Sequence, residues 1–149
     1  MKDCNNISIG SKMGYLNKLF LENVRNYSQK VGLNFTYSKI IMILNNHKDG
    51  LIQNDLVEQT YCKASTISLT LKNMEYEGYI TRENCKDDNR KIIVRITDKG
   101  IEFDKKIREC FRVVENNLIF NITLEELDIF NKVMNKMKDN LDKTKGDNK

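Results

Sequence analysis

Apolar side chains recur at helical spacing over residues 9–30: Met13, Leu16, Phe20 and Val24 share one face, and Leu21 widens it. This predicts a long first helix. A second follows in "TYSKIIMILNNHKDG", with Thr36 as its expected N-cap and Ile40, Ile43 and Leu44 as its apolar face. Gly50 stands past its end. "IQNDLVEQTY" predicts a short third helix with Leu56 and Val57 inward, and "KASTISLTLKNMEYEG" a fourth, closed by Gly78.

The period then changes. "YITREN" and "KIIVRIT" are β-branched runs that alternate in part, as strands do. Helical spacing resumes with Phe103, Ile107, Phe111 and Val114. A last helix opens on a capping box, Thr123 to Glu126, and carries Leu127, Phe130, Val133 (or Met134) and Met137 as its stripe. Only the tail "DKTKGDNK" looks like a frayed end. The expected fold class is mainly α with a small β-hairpin wing: a winged helix-turn-helix flanked by long dimerisation helices. The expected division is residues 1–35 as an N-terminal dimerisation helix, 36–97 as the winged helix-turn-helix, and 98–149 as the C-terminal helices that complete the dimerisation part. Residues 9–30 and 123–141 each offer a stripe that needs a partner. A second copy could supply it, or the stripes could pack on their own core.

Composition narrows the class. The chain has 149 residues, of which 40% are hydrophobic and 31% charged, a balance that suits a folded domain. No apolar run reaches the roughly 20 residues of a membrane span, and "MKDCNNISIG" has no apolar signal core, so the expected compartment is the cytoplasm. Net charge is +4, but residues 36–97 hold nine basic and eight acidic side chains, so any nucleic-acid argument rests on local placement. Cys4, Cys62, Cys85 and Cys110 form no CxxC pair and there is one histidine, so neither a zinc site nor any other cofactor is expected. Four reduced thiols is the plain reading; redox sensing at Cys62 or Cys85 is the alternative. No Gly-rich phosphate loop or G-x-S-x-G stands in the chain, so an enzyme is not expected.

At about 100° per residue, Ile67, Leu71 and Met74 form the buried stripe of the fourth helix. The opposite face collects Ser65, Ser68, Leu69, Lys72, Asn73 and Tyr76. Hydroxyls, an amide and a leucine suit base edges and a thymine methyl in a major groove, and Lys72 suits a phosphate. An ordinary solvated face is the bland alternative, as is an apolar patch, Leu69 and Tyr76, for a protein partner. The connection "ENCKDDNRKI" is longer than a hairpin turn requires. It carries Lys86, Asp88, Asn89, Arg90 and Lys91, and an arginine there could enter a minor groove while Asp88 orients it.

The stretch "STISLTLKNMEYEGYITRENCKDDNRKIIVRITDKG" resembles the MarR family of bacterial transcription regulators. It matches the family's recognition helix, the Leu-Glu-x-x-Gly helix end (here Met74-Glu75 through Gly78), the following Arg82, the D-x-R wing at Asp88-Asn89-Arg90 and the Ile96-Thr97 entry to the next helix. "IQNDLVEQ" and "ITLEELDIF" match the flanking helices. The resemblance implies a homodimer, most simply a repressor, on double-stranded DNA with a pseudo-palindromic operator, and places Thr66, Ser68 and Leu69 at base-facing positions. Leu69 stands where many members carry arginine. The family often senses small aromatic acids, for which Tyr15, Phe35, Tyr37 and His47 are the candidates; core or surface roles are their alternative. Some members sense oxidants near the N-terminus, where Cys4 is a weak match.

Overall fold

The computed structural model describes residues 8–85, 88 and 90–146. Helix α1 (Ile9–Lys30) is capped by the Ser8 hydroxyl, which accepts from the Ser11 amide at 3.2 Å. A single 3₁₀ turn, Phe35–Tyr37, leads into α2 (Ser38–Asn45). Next come strand β1 (Leu51–Ile52), α3 (Gln53–Thr60), α4 (Ala64–Tyr76), β2 (Ile80–Asn84) and β3 (Ile92–Ile96). Helices α5 (Asp98–Leu118) and α6 (Leu124–Gly146) complete the chain. Among the described residues, no helix is long and apolar enough to cross a membrane.

Four local expectations need correction. Thr36 is not the cap of α2; Asn34 Oδ1 accepts from the Thr36 amide at 3.1 Å and so caps the 3₁₀ turn before it. Ile41 joins Ile40 and Leu44 in the buried face, while Ile43 is half-buried and packs against the edge of the core. Ile52 does not open the third helix. It pairs with Ile93, as Leu51 does with Val94, which adds a third strand in the order β1–β3–β2. The last helix runs to Gly146 instead of fraying after Leu141.

Two compact units divide the chain, residues 1–115 and 116–149. The first holds the core: Val24, Ile41, Leu44, Leu56, Leu71, Met74, Val94 and Ile107 are each fully buried. Burying each such side chain stabilises the fold by about 1.5–3 kcal/mol. In this way α1, α2, α3, α4, the sheet and α5 share one apolar cluster, which fixes the fourth helix against the hairpin. In the second unit the Thr123 hydroxyl accepts from the Glu126 amide at 3.2 Å while Glu126 accepts from the Thr123 amide at 2.8 Å, so the capping box forms as its sequence predicts. The Thr123 amide and hydroxyl also hold the Glu126 carboxyl below its ordinary pKa.

Two glycines join helix to hairpin. Gly78, at φ +79°, ends α4 in a Schellman turn: its amide donates to Glu75 O and the Tyr79 amide to Met74 O, both at 2.9 Å. Gly100 lies where a Cβ would run into the Tyr79 carbonyl and the Ile96 side chain, so α5 begins tight against the hairpin.

Candidate nucleic-acid interface

The expected amphipathic reading of α4 holds. Ile67, Leu71 and Met74 face the core, joined by Thr70, whose hydroxyl donates back to Thr66 O at 2.8 Å. Ser65, Thr66, Ser68, Leu69, Lys72, Asn73 and Tyr76 are exposed. Leu69 is 63% and Tyr76 93% exposed, so neither is there to fill the core. The face offers short hydroxyls, one amide and one apolar tip along a helix of 13 residues.

A clamp joins this helix to the sheet. Glu75 Oε2 accepts from Arg82 Nε at 2.9 Å and Nη2 at 2.6 Å, and Glu75 Oε1 accepts from the Arg82 amide at 3.1 Å. Strand β2 is thereby tied to the last turn of α4. Across the hairpin, β2 and β3 pair from Ile80–Ile96 to Asn84–Ile92, and an Arg95–Glu83 ion pair lies on the sheet.

The hairpin tip is organised by Asp88. Its Oδ1 accepts from the Arg90 amide at 3.1 Å and sits 3.5 Å from Arg90 Nε, while its carbonyl accepts from the Lys91 amide at 2.9 Å. The Cys85 amide donates to Lys91 O at 2.8 Å and closes the loop. The Arg90 side chain is 95% exposed, so the aspartate biases the direction of a cation that meets little else. Lys91 is exposed beside it. Lys86 and Asn89 lie outside the described residues, as does Cys4.

The four residues considered for a small aromatic ligand differ in exposure. Tyr15 is 64% exposed on α1 and His47 is exposed after α2. Tyr37 is buried; its hydroxyl donates to Glu77 Oε1 at 2.6 Å, and burial first, then that carboxylate, push its pKa up to about 12. Phe35 lines an open groove of about 420 Å³, with Arg25, Gln29, Asn34 and Thr36 among its walls. The Arg25 guanidinium lies 5.5 Å from the Phe35 ring centroid. Arg25 was not marked by the sequence pattern, since only the chain reversal after α1 brings it to the 3₁₀ turn.

Of the thiols, Cys62 is exposed, Cys85 half-buried and Cys110 buried, where desolvation raises its pKa. Among the described residues no group of three His, Cys, Asp or Glu side chains could hold a metal ion.

A family model described as the MarR family matches residues 33–92. An uncharacterised HTH-type transcriptional regulator, YdgJ of Bacillus subtilis, is 31% identical over 98 residues, 64% of this chain. The chain spans 58% of that relative's length. Wild-type MarR of E. coli in its apo form superposes with a TM-score of 0.78 at 14% identity, over 88% of this chain and 97% of that one. The S. aureus MepR–DNA complex gives a TM-score of 0.72 at 19% identity, over 91% and 99%. These likenesses establish the winged helix fold, and the relatives are regulators of transcription, not enzymes. Residues 33–92 thus match the MarR family's domain, and the chain shares the winged helix fold of solved MarR-family structures.

Proposed function

We propose that the protein is a homodimeric, sequence-specific DNA-binding repressor. Each copy lays α4 in a major groove and its wing on the adjacent minor groove. Residues 36–97 form the DNA-reading part, and residues 1–35 and 98–149 the dimerisation part. The observation that carries this reading is the pairing of an exposed hydroxyl-amide-leucine face with an exposed Arg90 steered by Asp88. Thr66, Ser68, Leu69 and Asn73 read base edges, while Ser65, Lys72 and Lys91 meet phosphates, as do Lys86 and Asn89. Arg82 serves indirectly, by holding β2 to α4 through Glu75.

Dimerisation is supported by apolar side chains that a monomer leaves in water. On α1 these are Ile9, Met13, Leu16 and Leu19; on α6 they are Leu124, Ile129, Phe130 and Val133. Two-fold pairing buries such stripes and fixes half-sites about one helical turn apart. A small aromatic acid fits the Arg25–Phe35 groove, where the guanidinium meets a carboxylate and the ring stacks. Binding there would release DNA.

The test is selection of duplexes from a random-sequence pool, with sedimentation of the free protein. Enrichment of an inverted repeat by a dimer supports the reading. A pool that stays unenriched would instead favour the exposed Leu69 and Tyr76 as a contact patch for another protein.

A further inference from the structure

Tyr61 ends α3 in the left-handed region, at φ 56° and ψ 26°. Glycine or asparagine is the usual occupant of such a position, because a Cβ crowds the following carbonyl. The side chain is also 93% exposed, so burial does not compensate for the conformation. Among the described residues its hydroxyl makes no hydrogen bond. The ring is nevertheless held: Lys39 Nζ donates to Thr60 O at 2.7 Å and lies 5.5 Å from the ring centroid. An exposed ring in a strained turn, fixed by a lysine from another helix, is not what folding alone selects.

Its place suggests the use. Tyr61 lies in the turn between α3 and α4, three residues before Ala64, the first residue of α4. Exposed Lys63, Ser65 and Thr66 follow it. In helix-turn-helix proteins the N-terminal residues of the recognition helix reach base edges, so the preceding turn lies along the strand that borders the groove. Tyrosine hydroxyls are regular donors to phosphate oxygens.

We infer that Tyr61 is a DNA-backbone contact, its hydroxyl donating to a phosphate at the edge of the half-site while Lys39 fixes the ring. The inference rests on the DNA-binding reading above.

The experiment compares wild type, Tyr61→Phe and Tyr61→Gly for thermal midpoint and for affinity to the selected operator across a salt series. Both variants should bind roughly ten- to a hundredfold more weakly, the effect of one hydrogen bond to a charged phosphate oxygen. The salt slope should stay the same, because no cation is removed. Neither midpoint should fall, and that of Tyr61→Gly should hold or rise as the strained turn relaxes. Wild-type affinity in either variant would overturn the inference. So would a midpoint several degrees lower in Tyr61→Gly, which would make the ring a structural part of the turn. If wild type itself binds no duplex selectively, the DNA reading falls first and this inference falls with it.

Discussion

Arg82→Ala should loosen the joint between α4 and the hairpin. The substitution removes two charge-assisted bonds to Glu75 Oε2, at 2.9 and 2.6 Å, and leaves the carboxylate with the Arg82 amide alone. Bonds to charged groups contribute about 1.5–3 kcal/mol when well shielded. The Arg82 and Glu75 side chains are 21% and 38% exposed, so water recovers part of the loss. That leaves a destabilisation of about 1–2 kcal/mol, or roughly 2–8 °C in Tm for a chain of this size. Urea unfolding followed by circular dichroism at fixed protein concentration measures it. Arg82→Lys keeps the charge but not the planar fork, so it should recover less than half of the stability. The operator assay supplies an independent reading. A clamp acting through Glu75 weakens specific binding without changing the salt slope, whereas a direct phosphate contact lowers that slope by about one. Arg82→Ala stability within about 0.3 kcal/mol of wild type would refute the clamp.

Three further outcomes are expected. Arg90→Ala should leave stability within about 0.5 kcal/mol of wild type, since the side chain is 95% exposed, yet weaken operator binding and lower the salt slope. Tyr37 titrates near pH 10 in an unfolded chain and at about 12 in the fold, so its contribution is complete below about pH 10 and is lost as pH rises toward 12. Urea midpoints across that window should fall in wild type and fall less in Tyr37→Phe. Asp104, 1% exposed, accepts from Asn45 Nδ2 at 2.7 Å and Arg108 Nε at 2.6 Å, so Asp104→Ala strands the amide and should lower unfolding free energy by about 1–3 kcal/mol in the same urea assay.

Much of the architecture was legible because it rests on periodicity. The stripe of Ile67, Leu71 and Met74 follows from spacing alone, and the capping box at Thr123 and Glu126 is a local pattern with a local cause. The Asp88–Arg90 contact is two residues long and needs no tertiary knowledge. Features set by distant chain were hidden. β1 exists because Leu51 and Ile52 meet Val94 and Ile93, and without that partner the run reads as the start of a helix. Arg82 has the composition of a phosphate ligand until the turn at Gly78 brings it to Glu75. Tyr61 left no mark, since a tight helix-turn-helix connection without glycine gives no sign that its residue takes positive φ. The Arg25–Phe35 groove likewise depends on the chain doubling back after Lys30.

The central claim is that exposed α4 and the wing read DNA by sequence. Fluorescence anisotropy tests it most directly, with a labelled duplex from upstream of this protein's own gene, a scrambled duplex of equal composition, and salt raised from about 50 to 200 mM. The account predicts tight binding to the first duplex, weaker binding to the second by about a thousandfold, and a log affinity that falls linearly with log salt. Equal and weak binding to both duplexes, and to duplexes recovered by selection, would contradict it.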